Sequence, residues 1–288
     1  VGVPHSTGNG TTERDQHLGP RAVRHVSAGL RRVHLDFNIN PWKKKKIFDL
    51  GDVALPHANN NEKCIEDITN FYKKIASENK PVVSIGGDHS ITGGILQGLG
   101  FNNLEMTKGK KISFLHIDAH TDTYSQLDHF MGAKKSAAHW GAYLVEQGII
   151  DPKTSMQIGM RGNPRTLDWL QPSYDLGYNV VTMDEFQKKG IDDVIKETLD
   201  KIGDNPVYIT FDLDSLDASV APAVSNIEPS FTGFTIDEAK ALIQSVKNKN
   251  VIGGDVVCLM PTKDQKNNIT SMVAASIMFE IISLIASK

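Results

Sequence analysis

Short, largely apolar runs alternate along this chain with longer amphipathic stretches. Pro81 to Ile85, Ile112 to Ile117, Met156 to Met160, Asn179 to Thr182, Val207 to Phe211 and Val251 to Val257 have strand length. Near-continuous apolar character is the mark of strands covered on both faces. Between these runs, apolar residues recur at helical spacing: Ile65, Ile68, Phe71, Tyr72 and Ile75 form one face of a helix over Asn61 to Ser77. Further helices are predicted from Gly19-Pro20-Arg21, at about Ser90 to Leu99, at Ala138 to Gln147, at Asp192 to Ile202, and as a mostly apolar final helix over Ile269 to Ile285. Another follows Thr235-Ile236-Asp237-Glu238, a capping-box pattern. Val1 to Pro4 reads as the end of a first strand, Ile47 to Val53 as a short strand meeting a turn, and Asp36 to Lys46 as irregular. With no repeat and no linker, the alternation predicts a single α/β domain over residues 1–288, a parallel sheet between helix layers. A barrel is the competing architecture, and both place sites at the carboxyl ends of strands.

Three of the runs end on ligand-type residues. Phe114-Leu115-His116-Ile117 leads into Asp118-Ala119-His120-Thr121-Asp122, with three candidate ligands at every second position. Alternate residues of a strand share a face, so Asp118, His120 and Asp122 converge if the extended geometry continues that far. Val207 to Phe211 ends in Asp212-Leu213-Asp214, and Val82-Val83-Ser84-Ile85 in Gly86-Gly87-Asp88-His89.

Composition narrows the function classes. A net charge of -3 leaves no footprint for nucleic acid. The one basic block, Lys43 to Lys46, reads as a solvated loop beside Trp42. Two cysteines, Cys64 and Cys258, make neither a disulfide framework nor a thiolate metal site. A reducing, cytoplasmic setting is the natural expectation. The apolar run Met272 to Ile285 carries Ser276, Glu280 and Ser283 and is expected to be too short for a bilayer, so no membrane partner is expected. The chain starts at Val1 directly in strand-like sequence. The natural N-terminus is expected to be missing, so organellar targeting stays open.

Asp118, Asp122, Asp212 and Asp214 bring four negative charges to one cleft, which a low dielectric does not tolerate uncompensated. Two divalent cations balance them, and His89 and His120 complete a set of six ligands. Mixed imidazole and carboxylate ligation suits Mn, Zn, Fe or Ni. Two such ions lie about 3.5–4 Å apart and lower the pKa of a shared water, which points to hydrolysis at a planar, electrophilic carbon. One Asp-x-His or Asp-x-Asp alone is ordinary turn chemistry; three such endings in one parallel-sheet pattern are not.

Gly86-Gly87-Asp88-His89-Ser90, Asp118-Ala119-His120-Thr121-Asp122 and Phe211-Asp212-Leu213-Asp214-Ser215-Leu216-Asp217 resemble the three signatures of the ureohydrolase family, which includes arginase, agmatinase, guanidinobutyrase and formimidoylglutamase. Gly19-Pro20-Arg21, Leu50 to Val53 and Gln157 to Gly162 also fit its pattern. Thr121-Asp122-Thr123 and Gly254 to Val257 lean towards the agmatinase and guanidinoalkanoate branch. The resemblance implies an arginase-like three-layer α/β/α sandwich, assembly as a homo-oligomer (trimer or hexamer), and a binuclear manganese cluster, with nickel in some members. It implies His89, Asp118, Asp122 and Asp212 around one ion and Asp118, His120, Asp212 and Asp214 around the other. Asp122 would also pass a proton to the leaving amine. The family's His-Gly, a proton shuttle or substrate contact, finds its nearest match in His139-Trp140-Gly141, with one inserted residue; His129 is the competitor. The substrate is then a guanidine or amidine, with tail contacts from loops such as Tyr124 to Ala138. The implied reaction is agmatinase-like, yielding urea and an amine. Guanidinoalkanoate or formimidoylglutamase-type hydrolysis are alternatives.

Some positions depart from that pattern. Cys258 stands where the family places the Glu that grips the guanidinium, and losing one partner of a desolvated charge pair costs about 2–5 kcal/mol. Asp217-Ala218 replaces the common Asp-Pro, and Ala223 replaces a glycine with freer backbone angles. An unusual substrate would account for this, as would a non-catalytic arginase-fold subunit.

Overall fold

The apolar runs become the strands of one open sheet. The computed structural model describes residues 1–10, 13–30, 32–100, 102–125, 132–164, 166–228 and 232–288. Its strands are β1 (Gly2–Val3), β2 (Val82–Gly86), β3 (Ser113–Ile117), β4 (Met156–Met160), β5 (Asn179–Thr182), β6 (Pro206–Asp212) and β7 (Asn250–Val257). They lie in the order β1-β2-β7-β6-β3-β4-β5, every pairing parallel. With β1 and β5 at the edges, the sheet does not close and the barrel alternative falls.

The helices are α1 (Gly19–Ser27), α2 (Pro41–Lys44), α3 (Asn61–Ala76), α4 (Ser90–Leu99), α5 (Trp140–Glu146), α6 (Gln171–Leu176), α7 (Met183–Lys189), α8 (Ile191–Ile202), α9 (Ile236–Ser245) and α10 (Ile269–Ala286). Side-chain alternation along the strands sorts them into two layers. Leu115, Ile117, Val207, Ile209 and Phe211 face one core with α1, α7, α8, α9 and α10. Phe114 and Tyr208 face the other with α3, α4 and α5. This is the three-layer arrangement expected from the sequence.

Local differences have local causes. Ile47 to Val53 is not a strand; Asp52 makes only an isolated bridge to Gly2. Asp36 to Lys46 is not wholly irregular, because Asn40 caps the backbone N–H of Trp42 and starts the single turn α2. Lys43 to Lys46 are exposed, as a solvated block should be, although Lys43 and Lys44 belong to that turn. The short helices α6 and α7 were not anticipated. The first has a Pro at its start, and Thr182 and Glu185 form a capping box for the second. The final helix is 18 residues long, so the expectation that it is too short is corrected: by length and composition it could cross a membrane. In this fold Val273, Ala274, Ile277, Ile281 and Leu284 are buried in the first core.

One row across the sheet breaks the apolar rule. Ser84, Asp255, Thr210, His116 and Gln157 are register partners on β2, β7, β6, β3 and β4, and all five are fully buried. His116 and Thr210 each lie two residues before an aspartate, Asp118 and Asp212, and so point to the same face. Gly159 on β4 makes close approach to this region feasible. Its φ is +106, and a Cβ there would lie 2.9 Å from the Asp118 carbonyl oxygen and 2.5 Å from the Phe234 ring.

The capping box at α9 is formed as the sequence indicated. Thr235 Oγ1 accepts from the Glu238 N–H at 3.2 Å, and Glu238 Oε2 accepts from the Thr235 N–H at 2.8 Å. Thr235→Ala is expected to cost about 1 kcal/mol, read as a lower urea midpoint with an unchanged denaturant slope.

Candidate metal centre

The site lies at the carboxyl ends of β2, β3, β6 and β7, at the α3–α5 face. Asp118 follows β3 directly, Asp212 closes β6, and His89 sits in the turn between β2 and α4. Asp214 is brought back beside them by a tight turn in which Asp212 Oδ1 accepts from the Asp214 N–H at 2.9 Å. Buried Arg161 holds this turn in place. Its guanidinium donates to the carbonyls of Asp214 (2.6 Å), Ser215 (3.0 Å) and Leu216 (3.0 Å).

His89 Nδ1 is ringed by three carboxylate oxygens: Asp118 Oδ2 at 2.9 Å, Asp122 Oδ2 at 3.0 Å and Asp212 Oδ2 at 3.2 Å. None of them meets it with the alignment of a hydrogen bond, and Nδ1 is left without a hydrogen-bond partner. One lone-pair nitrogen and three carboxylates about a common point is the donor set of a metal ion. A second group adjoins it. His120 Nδ1 lies 3.2 Å from Asp214 Oδ2 and 3.4 Å from Asp118 Oδ1. Asp118 thus presents one oxygen to each group. The residues present therefore fit two cations sharing a carboxylate.

The buried polar row supports this arrangement from below. Thr210 Oγ1 donates to Asp255 Oδ1 at 2.7 Å, so its oxygen is free to accept from His89 Nε2–H at 2.8 Å. That leaves Nδ1 as the nitrogen able to take a cation. Asp255 also accepts from Thr92 and Tyr208, each at 2.9 Å, and burial holds its carboxyl above the usual range. On the other side His116 Nε2 donates to Asp118 Oδ2 at 2.7 Å. Gln157 Nε2 donates to His116 Nδ1 at 3.1 Å and to the Thr121 carbonyl at 2.6 Å, which assigns the tautomer.

Charge crowding appears in the proton affinities. Burial opposes a charged imidazole at His89, yet Asp118, Asp122 and Asp212 outweigh it and raise its pKa well above the ordinary value. At His120 burial is likewise overcome, chiefly by Asp214. Burial and the nearby Asp212 push the Asp214 carboxyl well up. A site that draws protons to its histidines is one where positive charge is stabilised, whether proton or cation.

All six sequence-predicted ligands therefore meet, but not as strand alternation alone would place them. β3 ends at Ile117, and Asp122 stands in the left-handed region at φ +53. A turn, in which the His120 N–H donates to Asp118 Oδ1 at 2.7 Å, replaces the continued strand. His139 is buried at the N-terminus of α5, its Nδ1 2.7 Å from Ser136 Oγ. His129 lies outside the described residues. Cys258 lies just past β7, beside the cluster. Its thiol is buried beside Asp212, its backbone is left-handed at φ +68, and burial together with Asp212 and Asp214 raises its pKa well above the ordinary thiol value. Ala223 causes no backbone strain; it is buried, and its N–H donates to Thr270 Oγ1 at 3.2 Å.

Sequence reading missed His116, Gln157, Thr210 and Asp255 as a supporting layer, although their two-residue offset from the aspartates was a usable signal. It also missed Glu228, whose Oε1 is 3.2 Å from His120 Nε2. Glu228 comes from an irregular segment with no motif to mark it.

Comparison with known proteins agrees with this geometry. The arginase family pattern matches residues 1–283. The mitochondrial guanidino acid hydrolase of Homo sapiens is 32% identical over 282 residues, covering 98% of this chain and 76% of the human protein. The mitochondrial agmatinase of Gallus gallus is 31% identical over 285 residues, covering 99% of this chain and 80% of its own. Among solved structures, proclavaminate amidino hydrolase from Streptomyces clavuligerus superposes with a TM-score of 0.88 at 27% identity, over 99% of this chain and 90% of that one. With the fold, the clustered ligands and these relatives in agreement, the chain belongs to the arginase family, close to its agmatinase branch, and is a hydrolase acting on guanidino C–N bonds.

Proposed function

We propose that this chain hydrolyses a linear guanidino compound to urea and an amine at a centre of two divalent cations. The observation that carries the reading is the shared carboxylate, with Asp118 facing His89 Nδ1 through one oxygen and His120 Nδ1 through the other. On this reading His89, Asp118, Asp122 and Asp212 hold one ion, and Asp118, His120, Asp212 and Asp214 hold the second. Bound there, two ions such as Mn2+ or Ni2+ supply the positive charge that lets a water ionise near neutral pH.

The chain's own groups do the rest. Asp122 keeps 11% side-chain exposure at the edge of the cluster, so it is the carboxylate placed to exchange a proton with an attacking water and a departing nitrogen. The water oxygen bonds to the guanidino carbon, the C–N bond to the tail breaks, and a water proton passes by way of Asp122 to the leaving nitrogen. His139, in the wall beside α5, is the candidate for relaying protons to solvent. A linear guanidino substrate is supported by the names of the relatives, which act on guanidino acids, agmatine and an amidino compound.

Cys258 favours a second reading. A thiol with a raised pKa is neutral and cannot balance a guanidinium as a carboxylate does. An amidine such as a formimidoyl group, releasing formamide, has one nitrogen fewer for such a wall to hold. The complete ligand set weighs against a non-catalytic subunit, because clustered buried carboxylates are destabilising unless used.

A panel of guanidines and formimidoyl compounds, assayed with Mn2+ and Ni2+, separates these readings by product: urea for the first, formamide for the second. No turnover of any member by metal-loaded protein would overturn both. Asp118→Ala removes the shared ligand and is expected to abolish both metal retention and product release; full activity in that variant would defeat the two-ion reading. Thr210→Val leaves the His89 Nε2–H without its acceptor. Its metal affinity is expected to fall about 10–100-fold, measured by titration against a chelating indicator.

A further inference from the structure

The first turn of α5 grips Asp122 at both ends. The Gly141 N–H donates to the Asp122 carbonyl at 2.9 Å, and the indole Nε1–H of Trp140 donates to Asp122 Oδ2 at 2.9 Å. Gly141 permits this approach, since a Cβ there would lie 2.9 Å from the Asp122 carbonyl oxygen and 2.9 Å from Thr123 Cγ2. Trp140 has no solvent exposure. Its ring is fixed by His89 at 4.9 Å between centroids, His116 at 5.0 Å and Phe114 at 5.5 Å. A fully buried indole N–H requires an acceptor, and here it takes a carboxylate of the candidate metal site.

That contact distinguishes the two oxygens of Asp122. Oδ2 is the oxygen 3.0 Å from His89 Nδ1 and also the one that accepts from Trp140. Oδ1 has no hydrogen bond among the described residues. Asp122 stands at φ +53, beyond the strand, where sheet geometry no longer directs its side chain. A carboxylate left to rotate there would exchange its oxygens and lose the geometry needed for proton transfer.

We propose that Trp140 is the positioning residue of Asp122: its indole N–H holds Oδ2 beside His89 and reserves Oδ1 for the proton that travels from the attacking water to the departing amine. This rests on the hydrolase reading above. The proton leaves the water as its oxygen bonds to the guanidino carbon and arrives on the nitrogen as the C–N bond breaks, so Asp122 is unchanged over the cycle.

Trp140→Phe keeps the ring and removes the donor. With a substrate found by the panel, its kcat is expected to fall about 10–100-fold at saturating Mn2+, with KM within about twofold. An unchanged kcat, or a loss fully restored by more Mn2+, would overturn the proposal. An activity-independent measurement guards against failure of the hydrolase reading itself. In 15N-labelled protein the Trp140 indole N–H resonance is identified by its loss in Trp140→Phe. It is expected to move upfield in Asp122→Ala while those of Trp42 and Trp169 stay in place. If it does not move, the tie is absent and the proposal falls whatever the protein hydrolyses; if it moves while no guanidine is turned over, the tie stands and only the proton-transfer role is lost.

Discussion

Four aspartates and two imidazoles brought into two adjoining groups form the constraint on which this structure rests. At 4 Å, two like charges repel by about 4 kcal/mol at an effective dielectric constant of 20, so the cluster needs positive charge and rigid support. The support comes from the sheet. Three parallel strands deliver Asp118, Asp212 and His89 from positions far apart in the chain, and the pairing of β3 with β6 fixes the two aspartates on one face. The polar row one step below then holds the donor atoms in place, with Thr210 orienting His89 and His116 orienting Asp118. A row of Ser, Asp, Thr, His and Gln across a sheet centre would be costly if unpaired; here Asp255 accepts from three hydroxyls and His116 is bonded at both nitrogens.

Two of the left-handed non-glycine residues border the same place, while Asn38, Asn79, Lys108 and Asn268 lie elsewhere. Asp122 and Cys258 both occupy the left-handed region, which costs a non-glycine residue roughly 1–3 kcal/mol. Neither is in an exposed loop where such a conformation could relax. Asp122 is tied down by Gly141 and Trp140, and Cys258 by the Gly87 carbonyl, which accepts from its N–H at 2.8 Å. The fold therefore sustains two strained positions by hydrogen bonds from neighbouring elements, and both border the clustered carboxylates.

Cys258 separates family membership from substrate identity. The scaffold agrees with the relatives, and the six candidate ligands cluster on it, whereas Cys258 sets a buried thiol of raised pKa beside them. On the proposed reading, chemistry and recognition would be carried by different parts of the cleft. The first is built on strand ends, where geometry is inherited from the sheet; the second depends on single side chains that can change without disturbing it.

Hydrophobic patterning alone determined the layered α/β class, because buried parallel strands must read as apolar runs and their crossover helices as amphipathic ones. It also located α4, β4 and β5 to the residue. The candidate ligands stood out because the aspartates and histidines interrupt apolar runs at their ends, where little else explains them. Other features depended on tertiary structure. Strand order, and with it the choice of an open sheet over a barrel, arises from pairings between segments distant in sequence. Asp122 reaches the cluster through a left-handed turn that no alternation rule contains. Glu228, Trp140 and the row from Ser84 to Gln157 take their roles from neighbours across the sheet or from another layer, and a residue's partners across space leave no periodicity in its own sequence.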